Sequence, residues 1–235
     1  MKIGVISAME SEHNRLVACL DGKQEVYKGA WQYMLGRLGN NEAVLARCGI
    51  GKVNAAVGAA ELLRQFAPDC VVSTGVAGGI DTSLQVMDVV AGASVVYHDV
   101  WCGEGNAYGQ VQGLPAVFDA DPVLLAHALS MDKAGEGNRV YGGLICTGDR
   151  FITDRPSLNA IKSHFPQGLA VDMESAAIAQ TCYLYGVPFL SFRIISDTPG
   201  VENHWQQYTD FWGAMADRSF QITQAFLATL PGTLK

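Results

Sequence analysis

Apolar residues in this chain gather in short, nearly continuous runs: KIGVI at 2–6, CVVSTGVAGG at 70–79, VMDVVAGASVVYHD at 86–99, RVYGGLICTGD at 139–149 and FLSFRIIS at 189–196. Such runs predict strands buried on both faces of a sheet. Between them the spacing turns helical. Val53, Ala56, Val57, Ala60 and Leu63 predict a helix over 52–66 that Pro68 prevents from continuing. Leu16, Val17 and Leu20 predict another, starting after Ser7. Stretches at 25–29, 31–38 and 42–48, punctuated by Gly29, Gly36 and Gly39-Asn40-Asn41, read as a meander. Further helices are expected at 121–130 behind Asp121, at 155–165 with Pro156 in the first turn, at 173–185 before Gly186 and Pro188, and at 203–229 as one long element. A short strand at 168–172 and a Gly-rich surface loop at 100–120 complete the pattern. Strands alternating with helices predict an α/β fold. Its central sheet would be mixed and largely parallel, with helices on both faces. No linker interrupts residues 1–235, so one domain is expected.

Composition narrows the function classes. The chain has 235 residues, is 49% hydrophobic and 17% charged, and carries a net charge of −7. An acidic chain without a basic stripe is a poor partner for a nucleic-acid backbone, which needs clustered Lys and Arg. The six cysteines are scattered, with no Cys-x-x-Cys pair, and are expected as reduced core thiols of a cytoplasmic protein. No apolar run reaches membrane-spanning length, and the N-terminus starts on a strand rather than on a secretory leader. The histidines lack metal-ligand spacing, so no metal is expected. GVAGG at 75–79 is not the dinucleotide fingerprint and GIGK at 49–52 is not a Walker loop, so no cofactor is expected either. Both glycine clusters can still bring backbone N–H groups close to a ligand, or can simply be tight turns.

Three acids stand beside the ends of apolar runs. Glu12 lies just past KIGVISAM, Glu174 lies in LAVDMESAAIA, and Asp197 closes FLSFRIISD. In open α/β sheets the ligand crevice lies outside the carboxyl ends of the strands, and carboxylates are rarely buried without a task or a partner. Each acid also has a plainer use. Glu12 can be a first-turn helix charge, Asp172 a helix cap, and Asp197 the partner of Arg193 or a turn cap before Pro199. Aromatic residues of the last helix, Tyr208 and Trp205 among them, are core or ligand cover.

Taken together, KIGVISAMESE, CGIGKVNAA, STGVAGG, YHD, TGDRFI, FPQGLAVDMESAAIA and FRIISD resemble the purine nucleoside phosphorylase/nucleosidase superfamily. The likeness covers nearly the whole chain and is strongest to the methylthioadenosine/S-adenosylhomocysteine nucleosidases. The resemblance implies a nucleoside phosphorylase-like fold and hydrolysis of the N-ribosidic bond of a 5′-thio-substituted adenine nucleoside. Such hydrolysis passes through an oxocarbenium-like state. It assigns Asp197 the proton donor to adenine, Glu12 the base for water with Arg193 helping to hold that water, and Glu174 the acceptor for the ribose hydroxyls. Met173 would pack under the sugar, Phe151 would stack on adenine, and the Ile152 backbone would read its polar edge. Met9, Ile50, Val76, Asp172, Tyr208 and Tyr108 complete the implied substrate pocket. Three features depart from the family: Val76 replaces a usual Ser, Asp172 replaces a usual Glu, and the loop VWCGEGNAYGQ at 100–110 is unusual. A homodimer is expected around Val100, Trp101, Tyr108 and Leu114. The alternatives are a phosphorylase of the same fold, a futalosine-type nucleosidase, and a non-catalytic nucleoside-binding protein. Ser73, where related phosphorylases carry Arg, argues against the first.

Overall fold

The computed structural model describes residues 1–132 and 139–234. Strand β1 (Lys2–Ser7) alternates its side chains between two cores. Ile3 and Val5 face one, with Leu16, Leu20, Phe220 and Phe226, and Ile6 faces the other, with Ala55, Leu62 and Val71. This two-residue period explains why a run apolar throughout is a central strand: both of its faces are covered. Helix α1 (Glu10–Ala18) follows, then the meander β2 (Asp21–Lys28), β3 (Trp31–Leu38) and β4 (Asn41–Arg47). Helix α2 (Lys52–Phe66) is capped by Ala67 in the left-handed conformation, just before Pro68, and leads to β5 (Cys70–Gly79). The second half runs β6 (Val89–Tyr97), β7 (Phe118–Asp119), α3 (Pro122–Leu129), β8 (Val140–Thr147), α4 (Arg155–His164), β9 (Gly168–Asp172), α5 (Ser175–Tyr185) and β10 (Phe189–Asp197). It closes with α6 (His204–Asp210), a π turn (Phe211–Met215) and α7 (Ala216–Thr229).

The sheet is mixed, in the order β10-β6-β8-β9-β5-β1-β4-β3-β2, and β10 also pairs with β5. Strands β5, β10, β6, β8 and β9 thus close on themselves, with β1 to β4 as an extension. The parallel pairs β1–β4, β1–β5 and β5–β10 hold the middle of the molecule, and the β2–β3–β4 meander is antiparallel. Helices α2 and α5 cover one core, and α1, α3 and α7 the other. Among the described residues no helix is long and apolar enough to cross a membrane.

The structure departs from the sequence pattern at β2, which begins at Asp21 rather than near 25, at β7, which lies inside the expected 100–120 loop, and at two further elements. The run at 86–99 yields a strand only from Val89, because Gln85–Asp88 forms a turn with Met87 at φ 80° and the Gln85 N–H bonded to Asp88 Oδ2 at 2.8 Å. The expected single helix over 203–229 is broken by the π turn at Phe211–Met215. A wider turn changes the phase of the helix. Tyr208 before it faces the cleft described below, while Phe220 and Phe226 after it face the core.

Candidate active site

The carboxyl ends of β1, β5, β9 and β10 open into one cleft. It is lined by Met9, Glu12, Ile50, Val76, Phe151, Ile152, Asp172, Met173, Glu174, Asp197 and Tyr208, all expected from sequence. Ala8, Ala77, Gly78, Arg150, Val171, Ser196 and Pro199 line it too.

Glu12 is a first-turn helix charge, one of the uses the sequence offered, and its second oxygen reaches strand β5. It is the third residue of α1, and its Oε2 accepts from the Met9 N–H at 2.9 Å and the Ala8 N–H at 3.1 Å, half of a capping box. Its Oε1 faces β5 and accepts from the Val76 N–H at 3.0 Å. That bond uses the backbone, so Val76 serves it as well as any residue would. Gly75 makes the approach possible: a methyl group there would run into Glu12 Oε1 and the Arg193 Nη1. Burial pushes the Glu12 carboxyl above its usual range, while the Arg193 charge and the three N–H groups pull the other way.

Arg193 lies beneath the cleft, 1% exposed, and does not line it. A buried guanidinium is costly unless paired. Its Nε lies 3.0 Å from Asp172 Oδ2, its Nη2 lies 3.9 Å from Glu174 Oε2, and Nη2 donates to Ser73 Oγ at 2.9 Å. Burial opposes its charge, but Asp172, Glu174 and Glu12 outweigh that and raise its pKa. The Arg193–Asp197 pair considered from sequence does not form; Arg193 pairs with Asp172 instead. A bulge in β10 between Ile195 and Asp197 shifts the register after Arg193. Asp197 is 2% exposed and accepts from Ser196 Oγ at 2.7 Å.

Asp172 is both cap and charge partner. It accepts from Thr147 Oγ1 at 2.6 Å, from the Ser175 N–H at 3.2 Å and from Ser175 Oγ, satisfying the start of α5. Glu174 precedes that helix without capping it, and its Oε1 accepts from the Gly51 N–H at 2.9 Å. Burial pushes Glu174 up to about 7, with Arg193 pulling down and the Asp172 and Glu12 charges adding to the rise. Cys48 adjoins these acids, and burial pushes its thiol up to about 12, which disqualifies it as a nucleophile near neutral pH.

The rim is aromatic. Phe151 is 44% exposed and meets Tyr208 edge-on at 5.6 Å and Trp205 edge-on at 6.0 Å. Two implied site residues do not line the cleft: Arg193, which lies beneath it and not at the place of the water it was expected to hold, and Tyr108. Tyr108 stacks on His164 at the end of α4 at 3.6 Å and packs with Phe165 just past it, because the 100–110 loop folds over that helix rather than toward the cleft of its own chain. The hydroxyl network of Ser73, Thr147, Ser175 and Ser191 was missed from sequence. Its signal was present as small polar residues inside otherwise apolar strands. Among the described residues no cluster of His, Cys, Asp and Glu is placed to hold a metal ion.

Four buried acids, Glu12, Asp172, Glu174 and Asp197, thus stand with a partnered arginine at the carboxyl ends of the strands. The family model of the phosphorylase superfamily matches residues 2–228. The chain belongs to the phosphorylase superfamily. Within it, the chain falls in the 5′-methylthioadenosine/S-adenosylhomocysteine nucleosidase family. The nucleosidase of that name from Geobacillus thermodenitrificans is 40% identical over 236 residues, covering 100% of both chains. The solved nucleosidase from Neisseria meningitidis, in complex with methylthio-immucillin-A, superposes with a TM-score of 0.90 at 39% identity, covering 97% of this chain and 99% of that one. The one from Colwellia psychrerythraea, in complex with adenine, gives a TM-score of 0.92 at 36% identity, covering 99% and 97%.

Proposed function

We propose that this superfamily member hydrolyses the N-ribosidic bond of 5′-methylthioadenosine and S-adenosylhomocysteine, releasing adenine and the 5-thio-substituted ribose. The observation that carries the reading is the convergence of Glu12, Glu174 and Asp197 on one cleft whose buried cation is already neutralised. Adenine lies against Phe151, with the Ile152 backbone at its polar edge. Asp197 supplies a proton or hydrogen bond to the leaving purine. As the bond lengthens, positive charge grows on the ribose, and the carboxylates beneath it stabilise that charge. Glu174 holds the ribose hydroxyls over Met173. Glu12 takes a proton from the attacking water. Burial raises its pKa and so strengthens it as a base, and its three backbone bonds fix its direction. Arg193 acts as counter-charge among these acids.

The phosphorylase alternative needs a cation for a phosphate dianion. Arg193 is committed to Asp172, Arg150 at the rim lies 3.6 Å from Asp154, and Arg47 pairs with Glu10 at 3.3 Å outside the cleft. Release of adenine from methylthioadenosine at an equal rate with and without phosphate is the expected result. Turnover that requires phosphate and yields a ribose-1-phosphate derivative overturns the reading.

The same proposal includes a homodimer in the cytoplasm. Val53 is 73% exposed on α2, next to Ala56 and Val57, and a shallow groove beside it is lined by Tyr97, Val100 and Val111. Exposed apolar groups grouped on one face support an interface. A fully active monomer in sedimentation at nanomolar concentration argues against it.

A further inference from the structure

The first turn of α2 is held by a carboxylate from another part of the chain. Gly51 precedes the helix at φ 96° and has no side chain to cap it. Two successive backbone N–H groups leave this point in different directions. The Gly51 N–H donates to Glu174 Oε1 at 2.9 Å, and the Lys52 N–H donates to Asp149 Oδ1 at 2.7 Å. Asp149 is itself anchored, since its N–H donates to Asp99 Oδ2 at 2.9 Å. Asp99 also accepts from Lys52 Nζ with both oxygens, at 2.8 Å each. The Lys52 ammonium lies 5.4 Å from the centre of the Tyr97 ring. Both ends of Lys52 are therefore fixed, and three loops, after β6, after β8 and before α2, meet on it.

A solvent-facing helix start does not need such bracing, because water can satisfy its N–H groups. What the bracing does fix is the Gly51–Lys52 peptide and, through the Gly51 Cα, the turn that sets the adjoining Ile50–Gly51 peptide, whose N–H reaches Glu174. Space there is tight: a methyl group on Gly51 would stand 3.0 Å from Asp149 Oδ1.

We propose that Asp149 is a positioning residue for Glu174, acting through the Gly51–Lys52 peptide and braced by the Lys52–Asp99 pair. The proposal rests on the reading of Glu174 as the ribose acceptor. Without Asp149 the Lys52 N–H loses its anchor, the backbone turn at Gly51 loosens, the Ile50–Gly51 peptide swings its N–H away from Glu174, and the carboxylate loses its aim at the sugar while the adenine end of the cleft is untouched.

The test is a double-mutant cycle of Asp149→Ala with Glu174→Gln, read as kcat and KM for methylthioadenosine and as affinity for adenine alone. Loss of one hydrogen bond to a charged group sets the scale, so Asp149→Ala is expected to raise KM about tenfold, with kcat reduced less. Adenine affinity is expected to stay within about twofold, and in the Glu174→Gln background the Asp149 effect is expected to shrink to about twofold or less, as coupled residues require. Asp149→Asn, which keeps an acceptor oxygen, is expected to restore most of the loss. If Asp149→Ala does not fold, Lys52→Met, which removes the brace but keeps the stem, is expected to raise KM in the same direction. An unchanged KM, an equal loss of adenine affinity, or strictly additive effects overturns the proposal. If Glu174→Gln itself leaves KM unchanged, the ribose-acceptor reading fails first and the positioning role falls with it. A strong Glu174 effect beside a silent Asp149 removes the positioning role alone.

Discussion

The cleft has two unlike halves. On the floor, Glu12 and Arg193 are each 1% exposed, and their polar atoms are bonded to backbone N–H groups of a strand and a helix start, to hydroxyls or to opposite charges. At the rim, Phe151 and Trp205 are 44% and 59% exposed and are held by one another and by Tyr208 through ring contacts. Groups that move protons must keep direction, and direction comes from hydrogen bonds to a sheet that does not deform. Groups that only cover a purine face need area, and loops can supply that. Floor substitutions should therefore act on turnover, and rim substitutions on binding.

The sharpest break of that contrast comes from the acids. Glu12→Gln and Asp197→Asn are each expected to lower kcat by about 10²–10⁴-fold without unfolding the protein. They should differ in binding. Asp197→Asn weakens transition-state mimics that carry a protonated purine-like nitrogen, and Glu12→Gln leaves substrate binding intact. Near-normal adenine release by Glu12→Gln leaves that residue a helix cap only.

Gly75→Ala comes next, because its methyl group meets Glu12 and Arg193 together. A displaced base costs about 10²-fold, so kcat should fall on that order with KM little changed. A wild-type kcat shows that the floor has more give than its bonding implies.

Glu174 links floor and binding. Its pKa, pushed up to about 7, lies above the ordinary carboxylate value, and hydroxyl binding needs the ionised form. The wild-type kcat/KM should therefore climb through neutral pH, and Glu174→Gln should lose that limb while KM rises. The linked stability effect has a definite sign. Between the ordinary carboxylate value and about 7 the folded protein binds more protons than the unfolded chain, so stability falls as pH rises through that window. Relative to Glu174→Gln, the wild type should lose up to about 3 kcal/mol between pH 4.5 and 8 in urea titrations. A pH-independent difference contradicts the raised pKa.

Phe151→Ala should be milder: KM up about tenfold, the scale of one exposed aromatic contact, with kcat within about threefold. A larger fall in kcat than in affinity erases the distinction between rim and floor. Tyr108→Ala should act least on the cleft of its own chain, shifting stability by about 1 kcal/mol through lost stacking on His164. A raised KM there places Tyr108 in a site completed by a second copy of the chain.

The strands and most helices were legible in the sequence because burial on two faces and helical periodicity leave direct marks on residue type. Helix α2 begins at Lys52 and ends two residues before Pro68, and β1, β5 and β10 lie under their apolar runs. The π turn was not legible, since Phe211 and Trp212 fit an ordinary helix as well. The acids were legible because charge beside a buried run is rare. The hydroxyl network was not recognised, because Ser and Thr are small enough to pass as core.

By itself, the sequence determined the alternation of strands and helices, the family motifs and the presence of three carboxylates at strand ends, all local properties of residue type and order. Tertiary structure decided which partner each charge has. Arg193 and Asp197 lie on one strand, yet a bulge shifts the register between them and Arg193 is drawn to Asp172. Tyr108 lies in a loop that packs on α4 instead of reaching the cleft. The Gly51 N–H meets Glu174 across 123 positions of chain. Such pairings depend on how strands and helices are brought together in space, a relation that no local pattern of residues encodes.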